Sequence, residues 1–265
     1  MKILTILFLT FTLSFAKVYY SKVEPYEVRD ISSNVSGLVI FIDENMIGKK
    51  LTSKAYLRID SELDSKELIF IKEKLEYLRE IVSVNKNVLV NLEKSLNRKR
   101  GNYKRIEDLK FKSVVEKDKE YHELISSENL YLSTQKEIQN LKVQITDLKL
   151  REAHLQRSIK DKYLSDEGFV LYEISVKVGQ VVGISTPLAK VADISRAKLT
   201  IYLDESDVAD AKNKVVYING EKTSYKISRA LNIADSKNIS KYMAQIIIDS
   251  PKLFSKLSTV ELKDK

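Results

Sequence analysis

The chain has 265 residues, a formal net charge of +8, 43% apolar and 31% charged residues, two His and no Cys. That balance excludes a disordered chain and an integral helical membrane protein. The lack of Cys excludes disulfides, thiolate zinc sites, iron–sulfur clusters, cysteine nucleophiles and a lipid-modified N-terminal Cys.

Residues 1–16 carry a basic start at Lys2, an apolar run from Ile3 to Phe15, and small residues at Ser14 and Ala16. This is the build of a cleaved secretory signal peptide, cut before Lys17. The run is shorter than the ~20 residues that span a bilayer. An uncleaved anchor is the alternative. The mature chain is expected to be exported and soluble.

Residues 17–63 begin with a short N-terminal segment and continue as strands and turns. These are Val28, then Val35 to Ile42, a turn at Gly48, and Tyr56 to Asp60.

Residues 64–160 read as an antiparallel coiled-coil hairpin. Leu68, Leu75, Val82, Leu89 and Leu96 repeat every seven residues, and Ile71, Leu78 and Leu92 follow three residues on, with Asn85 interrupting. In the return arm Leu124, Tyr131, Ile138, Ile145 and Ile159 form one series, and Leu141, Leu148 and Leu155 the other, with Glu152 a miss. Both are a/d seams. Asp64 with Glu67, and Ser113 with Glu116, read as capping boxes. A turn near Lys110–Lys112 gives helices over 64–109 and 114–160, each ~70 Å long. Gly101 is read as a flexible point inside the first helix, because a turn there would leave unequal arms and an exposed seam. The distal segment is basic. Residues 97–119 hold nine Lys or Arg against four acids. The bland reading is a solvated turn, and the sharper one is a contact surface for an acidic partner. Nucleic acid is not expected as a partner of an exported chain.

Residues 161–195 repeat the earlier strand plan with Gly168 to Leu171, Ile174 to Gly179, and Pro187 to Asp193. Gly37 to Gly48 and Gly168 to Gly179 are both eleven-residue steps, and each half closes on an apolar strand ending in Asp60 or Asp193. The glycines suit turns that need positive φ. Residues 196–265 read as a small β unit. It has strands at Leu199–Leu203, Val215–Ile218, Ser224–Ile227, Tyr242–Asp249 and Ser258–Leu262, a short acidic turn at Asp204–Asp210, and a hairpin signal at Asn219-Gly220.

A split β repeat around a coiled coil, behind a signal peptide and ahead of a β unit, resembles the HlyD-type periplasmic adaptors, or membrane fusion proteins. The resemblance implies an α+β fold. A long antiparallel hairpin (64–160) is inserted into a split lipoyl-like β-sandwich (17–63 and 161–195) and followed by a small β-barrel (196–265). It implies a non-enzymatic adaptor of a tripartite efflux pump, bridging an inner-membrane transporter to a TolC-type outer-membrane channel. The soluble build favours a resistance–nodulation–division transporter over an ABC exporter, and the family implies a ring of about six copies. A separate membrane-proximal domain is expected to be absent or reduced to Lys17–Glu27.

Adaptors that engage TolC-type channels carry an Arg, a Leu four residues on and a Ser seven after that. Arg105 and Leu109 match. Position 116 is Glu, and Val115 keeps the apolar residue before it. These four residues form the expected partner-binding tip. In lipoyl carriers the modified Lys sits in the turn that the hairpin replaces here, and Lys177 lies elsewhere, so carriage is not expected. No catalytic residue, cofactor or metal is expected either. His122 and His154 fall far apart on one helix, and Asp204, Glu205 and Asp207 read as a solvated acidic turn. Two other classes remain open: an exported structural coiled-coil scaffold that binds only itself, and an exported ligand-binding module.

Overall fold

The computed structural model describes residues 17–264 apart from 236, 237 and 239. The segment read as a signal peptide lies outside the described residues. In chain order the elements are β1 (Val18–Ser32), β2 (Gly37–Ile42), β3 (Leu57–Ile59), α1 (Glu62–Glu107), α2 (Val114–Asp161), β4 (Tyr163–Leu164), β5 (Val170–Ile174), β6 (Val181–Val182), β7 (Pro187–Leu203), α3 (Glu205–Val208), β8 (Val215–Ile218), β9 (Glu221–Lys222), β10 (Ile227–Ala234), β11 (Tyr242–Asp249) and β12 (Leu257–Lys263). The larger sheet has the order β10-β11-β7-β1-β12-β8-β9, with β5 also on β7, and the smaller is β4-β3-β2-β6.

Two long strands tie the β units together. β1 pairs with β12 through Val18–Lys22 and with β7 from Val23 to Ser32. A register shift falls between Pro25 and Glu27, where the imide cannot donate to a ladder. β7 carries β5 beside Ala189–Ala192 and β11 beside Arg196–Leu203. The boundary expected at 195/196 therefore falls inside one continuous strand. Two separate cores form along it. Val39, Tyr56, Leu57, Ile59, Leu171, Leu188 and Val191 fill one, and Ala197, Leu199, Ile201, Leu203, Val216, Ile246 and Val260 fill the other.

The glycines divide by job. Gly48, Gly168 and Gly179 have positive φ, as the turn reading requires. Gly37 does not. A Cβ there would sit 2.6 Å from Ile59 Cγ2, so this glycine is needed for close approach of β2 and β3. Asn219 and Gly220 both have positive φ and turn β8 into β9. The strand expected at Ser224–Ile227 is displaced. Pairing resumes at Glu221–Lys222, and Ile227 instead opens β10.

The hairpin grows from paired strands. β3 meets β4 at Leu57–Leu164 and Arg58–Tyr163, so the chain leaves and returns side by side. α1 has 46 residues and α2 has 48, about 69 and 72 Å at 1.5 Å per residue. Gly101 lies inside α1. The expected box of Asp64 and Glu67 is not a cap. Ser61 is the N-cap residue, and Asp60 Oδ1 accepts from the Glu62 N–H at 2.9 Å. Asp64 instead accepts from Lys162 Nζ and from Ser158 Oγ, each at 2.8 Å, and Glu67 takes both arms of the Arg151 guanidinium at 2.8 and 2.9 Å. These carboxylates latch the two arms together at the base.

Burial works against the charge on Asp64, yet its bonds from Lys162 and Ser158 hold the carboxyl below the usual Asp value. Such a group stabilises the fold above the ordinary carboxylate pKa, and the contribution fades as pH falls through the lowered value. Asp64→Ala leaves the buried Lys162 ammonium without its carboxylate. The expected cost is about 1–3 kcal/mol at pH 7. Urea unfolding at pH 7 and pH 3 should show the difference between variant and parent shrinking in acid.

The seam is packed unevenly. Ile71, Leu75 and Leu155, and then Leu78, Val82, Ile138 and Leu141, are buried in two clusters between the base and the middle of the hairpin. Beyond them Asn85 lines a polar cleft of about 480 Å³ with Ser133, Thr134 and Asn140. Among the described residues of the distal arms only Leu96 is buried.

Candidate docking site at the hairpin tip

Residues 108–113 turn the chain between α1 and α2. The Leu109 N–H donates to the Ile106 carbonyl at 3.1 Å, and Lys117 Nζ crosses to the Glu107 carbonyl at 2.7 Å. Ser113 and Glu116 make the capping box expected of them. Ser113 Oγ accepts from the Glu116 N–H at 3.3 Å, and the Glu116 carboxylate accepts from the Ser113 N–H at 3.0 Å. Lys112 Nζ adds a bond at 2.9 Å. The Lys112 ammonium, with the Ser113 backbone and hydroxyl, pulls the Glu116 carboxyl down to about 2. Glu116 thus stays ionised at physiological pH and is occupied by the cap.

Arg105 is exposed on the last turn of α1. Its Nε donates to the Gly101 carbonyl at 3.1 Å and a terminal nitrogen to Asn102 Oδ1 at 2.7 Å. Leu109 is half-buried within the turn itself. Val115 is exposed on the opposite arm, next to Val114. The tip thus brings together a guanidinium, a half-covered Leu and an apolar ledge, flanked by Lys104, Lys110, Lys112, Lys117 and Lys119.

Sequence reasoning did not single out Phe111 and Val114. They are 80% and 73% exposed, with Val115 at 76%. Their signal was available: three large apolar residues lie off the heptad frame, within five positions of a basic turn. Such residues at the end of a long projection form an apolar patch ringed by cations.

Interhelical pairs brace the region just below. Lys99 meets Glu123 at 2.6 Å and Arg100 meets Glu128 at 2.7 Å, while the Tyr103 and Tyr121 rings stack tilted at 5.6 Å. His122 sits beside Tyr121, and His154 lies some nine turns further along α2. Asp204 and Asp207 are bound internally. Lys17 and Lys241 pair with Asp204, and Lys17 and the Tyr19 hydroxyl with Asp207. Among the described residues no group of His, Asp and Glu is placed to hold a metal ion, and no helix is long and apolar enough to cross a membrane.

No protein-family model matches the sequence, and no curated protein matches it. Solved structures do match in fold. MacA from Actinobacillus actinomycetemcomitans aligns at a TM-score of 0.62 and 18% identity, over 93% of this chain and 78% of that one. The membrane fusion protein Spr0693 from Streptococcus pneumoniae aligns at 0.56 and 12%, over 94% and 100%.

This is the membrane fusion protein fold.

A MacA–MexA chimera containing the Pseudomonas aeruginosa MexA α-hairpin domain aligns at 0.63 and 15%, over 94% and 82%. The membrane-fusion fold therefore runs through sheets and hairpin alike. At these identities the likeness carries the architecture and not the roles of individual side chains.

Proposed function

We propose that this chain is a periplasmic adaptor of a tripartite efflux pump. It links an inner-membrane transporter to a TolC-type outer-membrane channel and does no chemistry of its own. The carrying observation is a ~70 Å projection that ends in exposed Phe111, Val114 and Val115 amid cations. In this reading residues 1–16 are a signal peptide removed at Lys17, and the smaller sheet with β5 and the lower part of β7 is the lipoyl-like unit. The remainder of the larger sheet is the β-barrel unit that packs beside it. Copies stand in a ring, about six by family likeness, around a conduit.

Arg105 and Leu109 make the contact. The guanidinium leaves its local acceptors and donates to carbonyls or carboxylates of a facing helix tip. Leu109, with Val115, enters an apolar groove. Glu116 holds the α2 cap so that these groups keep their spacing. A resistance–nodulation–division transporter is favoured over an ABC exporter. The interrupted β repeat weighs against a scaffold that binds only itself, since a scaffold has no use for it.

The test is mild-detergent purification of the tagged, exported chain from cells carrying their own transporters. The adaptor reading expects an inner-membrane transporter and an outer-membrane channel to co-purify. Recovery of the chain alone favours the scaffold.

A further inference from the structure

A cavity of about 550 Å³ lies where β1 exchanges β12 for β7 as its partner. That volume is within the ~300–1,000 Å³ of small-molecule sites. Val28, Ala192 and Val170 stand side by side on β1, β7 and β5 and give it an apolar row. Tyr172 and Phe254 add aromatic walls. Tyr172 follows Leu171 of one β core, and Phe254 packs on the other, so the cavity sits between the two. The segment that carries Phe254 is held in place. Ser250 Oγ donates to the Ile194 carbonyl and the Ser255 N–H to the Val23 carbonyl, each at 2.7 Å. The lining is open to solvent all the same, with Val28 51% and Tyr172 66% exposed. Apolar surface left wet in a preformed recess favours an occupant with an apolar body.

The charge around it is uneven. β1 and β7 carry five cations: Lys22, Arg29, Lys190, Arg196 and Lys198. Three are engaged. Arg29 binds Glu27, Lys190 pairs with Asp30, and the Arg196 guanidinium lies over the Tyr26 ring. The other two, Lys22 and Lys198, both line the cavity and make no ion pair among the described residues. Glu27 lies in the field of Lys198, but it gives both carboxylate oxygens to Arg29, at 2.6 and 3.0 Å. Glu24, opposite Lys198 in the ladder, is the one acid of the lining, so the rim keeps one positive charge in excess.

We infer that this cavity binds an amphiphilic organic anion. The apolar body lies along Val28, Ala192 and Val170 between the aromatic walls, and a carboxylate or similar headgroup takes bonds from Lys22 and Lys198. A bound molecule touches both β units at once. Two sources share this chemistry: a fatty acid released from a membrane, and an acidic amphiphile carried as cargo. The inference stands on the cavity and does not rest on the adaptor reading.

The probe is dodecanoate, measured by equilibrium dialysis against the full exported chain below its micelle-forming concentration. Saturable binding at one site is expected. Dodecanol and dodecyltrimethylammonium should bind about tenfold more weakly or worse, the margin of a charge-assisted bond. Lys22→Gln with Lys198→Gln should bring dodecanoate down to the level of dodecanol. Val28→Trp puts a large ring into the cavity from an exposed position, and should abolish binding of all three probes while the unfolding midpoint stays unchanged. Dodecanol binding as tightly as dodecanoate, tighter binding of the cationic probe, or undiminished binding to a folded Val28→Trp variant would each overturn the proposal. Solvent extraction of the chain purified from cells, with mass spectrometry, separates the sources. A long-chain fatty acid identifies the membrane, and another acidic amphiphile identifies cargo.

Discussion

Leu75→Ala is expected to lower the unfolding free energy by about 2–5 kcal/mol, the range for deleting a buried Leu side chain and leaving a cavity. Leu75 is 2% exposed and packs with Ile71 and Leu155, against Leu68, Ile145 and Leu148. Its cluster lies just above the Asp64–Lys162 latch, where β3 and β4 hold the arms at fixed separation. The site therefore has little room to collapse. The same change at half-buried Leu92 should cost about 1 kcal/mol, the centre of the range for point substitutions. Urea unfolding followed by circular dichroism gives both values. Amide exchange should show the same asymmetry in the parent, with slow exchange near Leu75 and Ile138 and faster exchange beyond Asn85. Equal costs at the two leucines would mean that the distal arms are as firmly packed as the base.

The second large effect is expected at the tip. Arg105→Asp with Leu109→Asp should cut channel engagement at least tenfold while leaving helicity and export unchanged. The two bonds that Arg105 makes in the free chain are to its own helix and lie on its exposed surface, so releasing them costs little. A charge-assisted bond in the docked state contributes about 1.5–3 kcal/mol, enough for a ten- to hundredfold change at each tip. Reversing the charge also sets a carboxylate against the carbonyls or carboxylates proposed to accept from Arg105, and a second acid at position 109 removes the apolar insertion. Binding of the exported variant to outer-membrane fractions measures the loss, and its salt dependence separates the parts. The Arg105 share should weaken as salt rises, while the Leu109 share should not. Binding within twofold of the parent would strip both residues of their assigned roles.

How legible these features were depended on the range of the interaction. The seam could be read because a period of seven is local, and the buried leucines fall on the expected positions. The Ser113–Glu116 cap and the Asn219-Gly220 turn are also local and appear as expected. Asp64 and Glu67 carry the same spacing as Ser113 and Glu116, but their partners are Lys162, Ser158 and Arg151, more than eighty residues away. No local pattern separates the two uses. The continuity of β1 was hidden by Pro25 and by polar neighbours, because the ladder passes the imide through a register shift. β10 was missed because its exposed, mixed sequence on a sheet edge has no clean alternation. At the tip, likeness pointed to Arg105, Leu109, Val115 and Glu116. The geometry adds Phe111 and Val114, and it binds Glu116 into the cap.

The most direct measurement is photo-cross-linking in living cells from a photoreactive residue at position 109 of the exported chain, with mass spectrometry of the product. The adaptor account predicts capture of an outer-membrane channel at its periplasmic helix ends, and loss of that product when Arg105→Asp is added. Capture of only a second copy of this chain, or of nothing, by a folded and exported variant would contradict it.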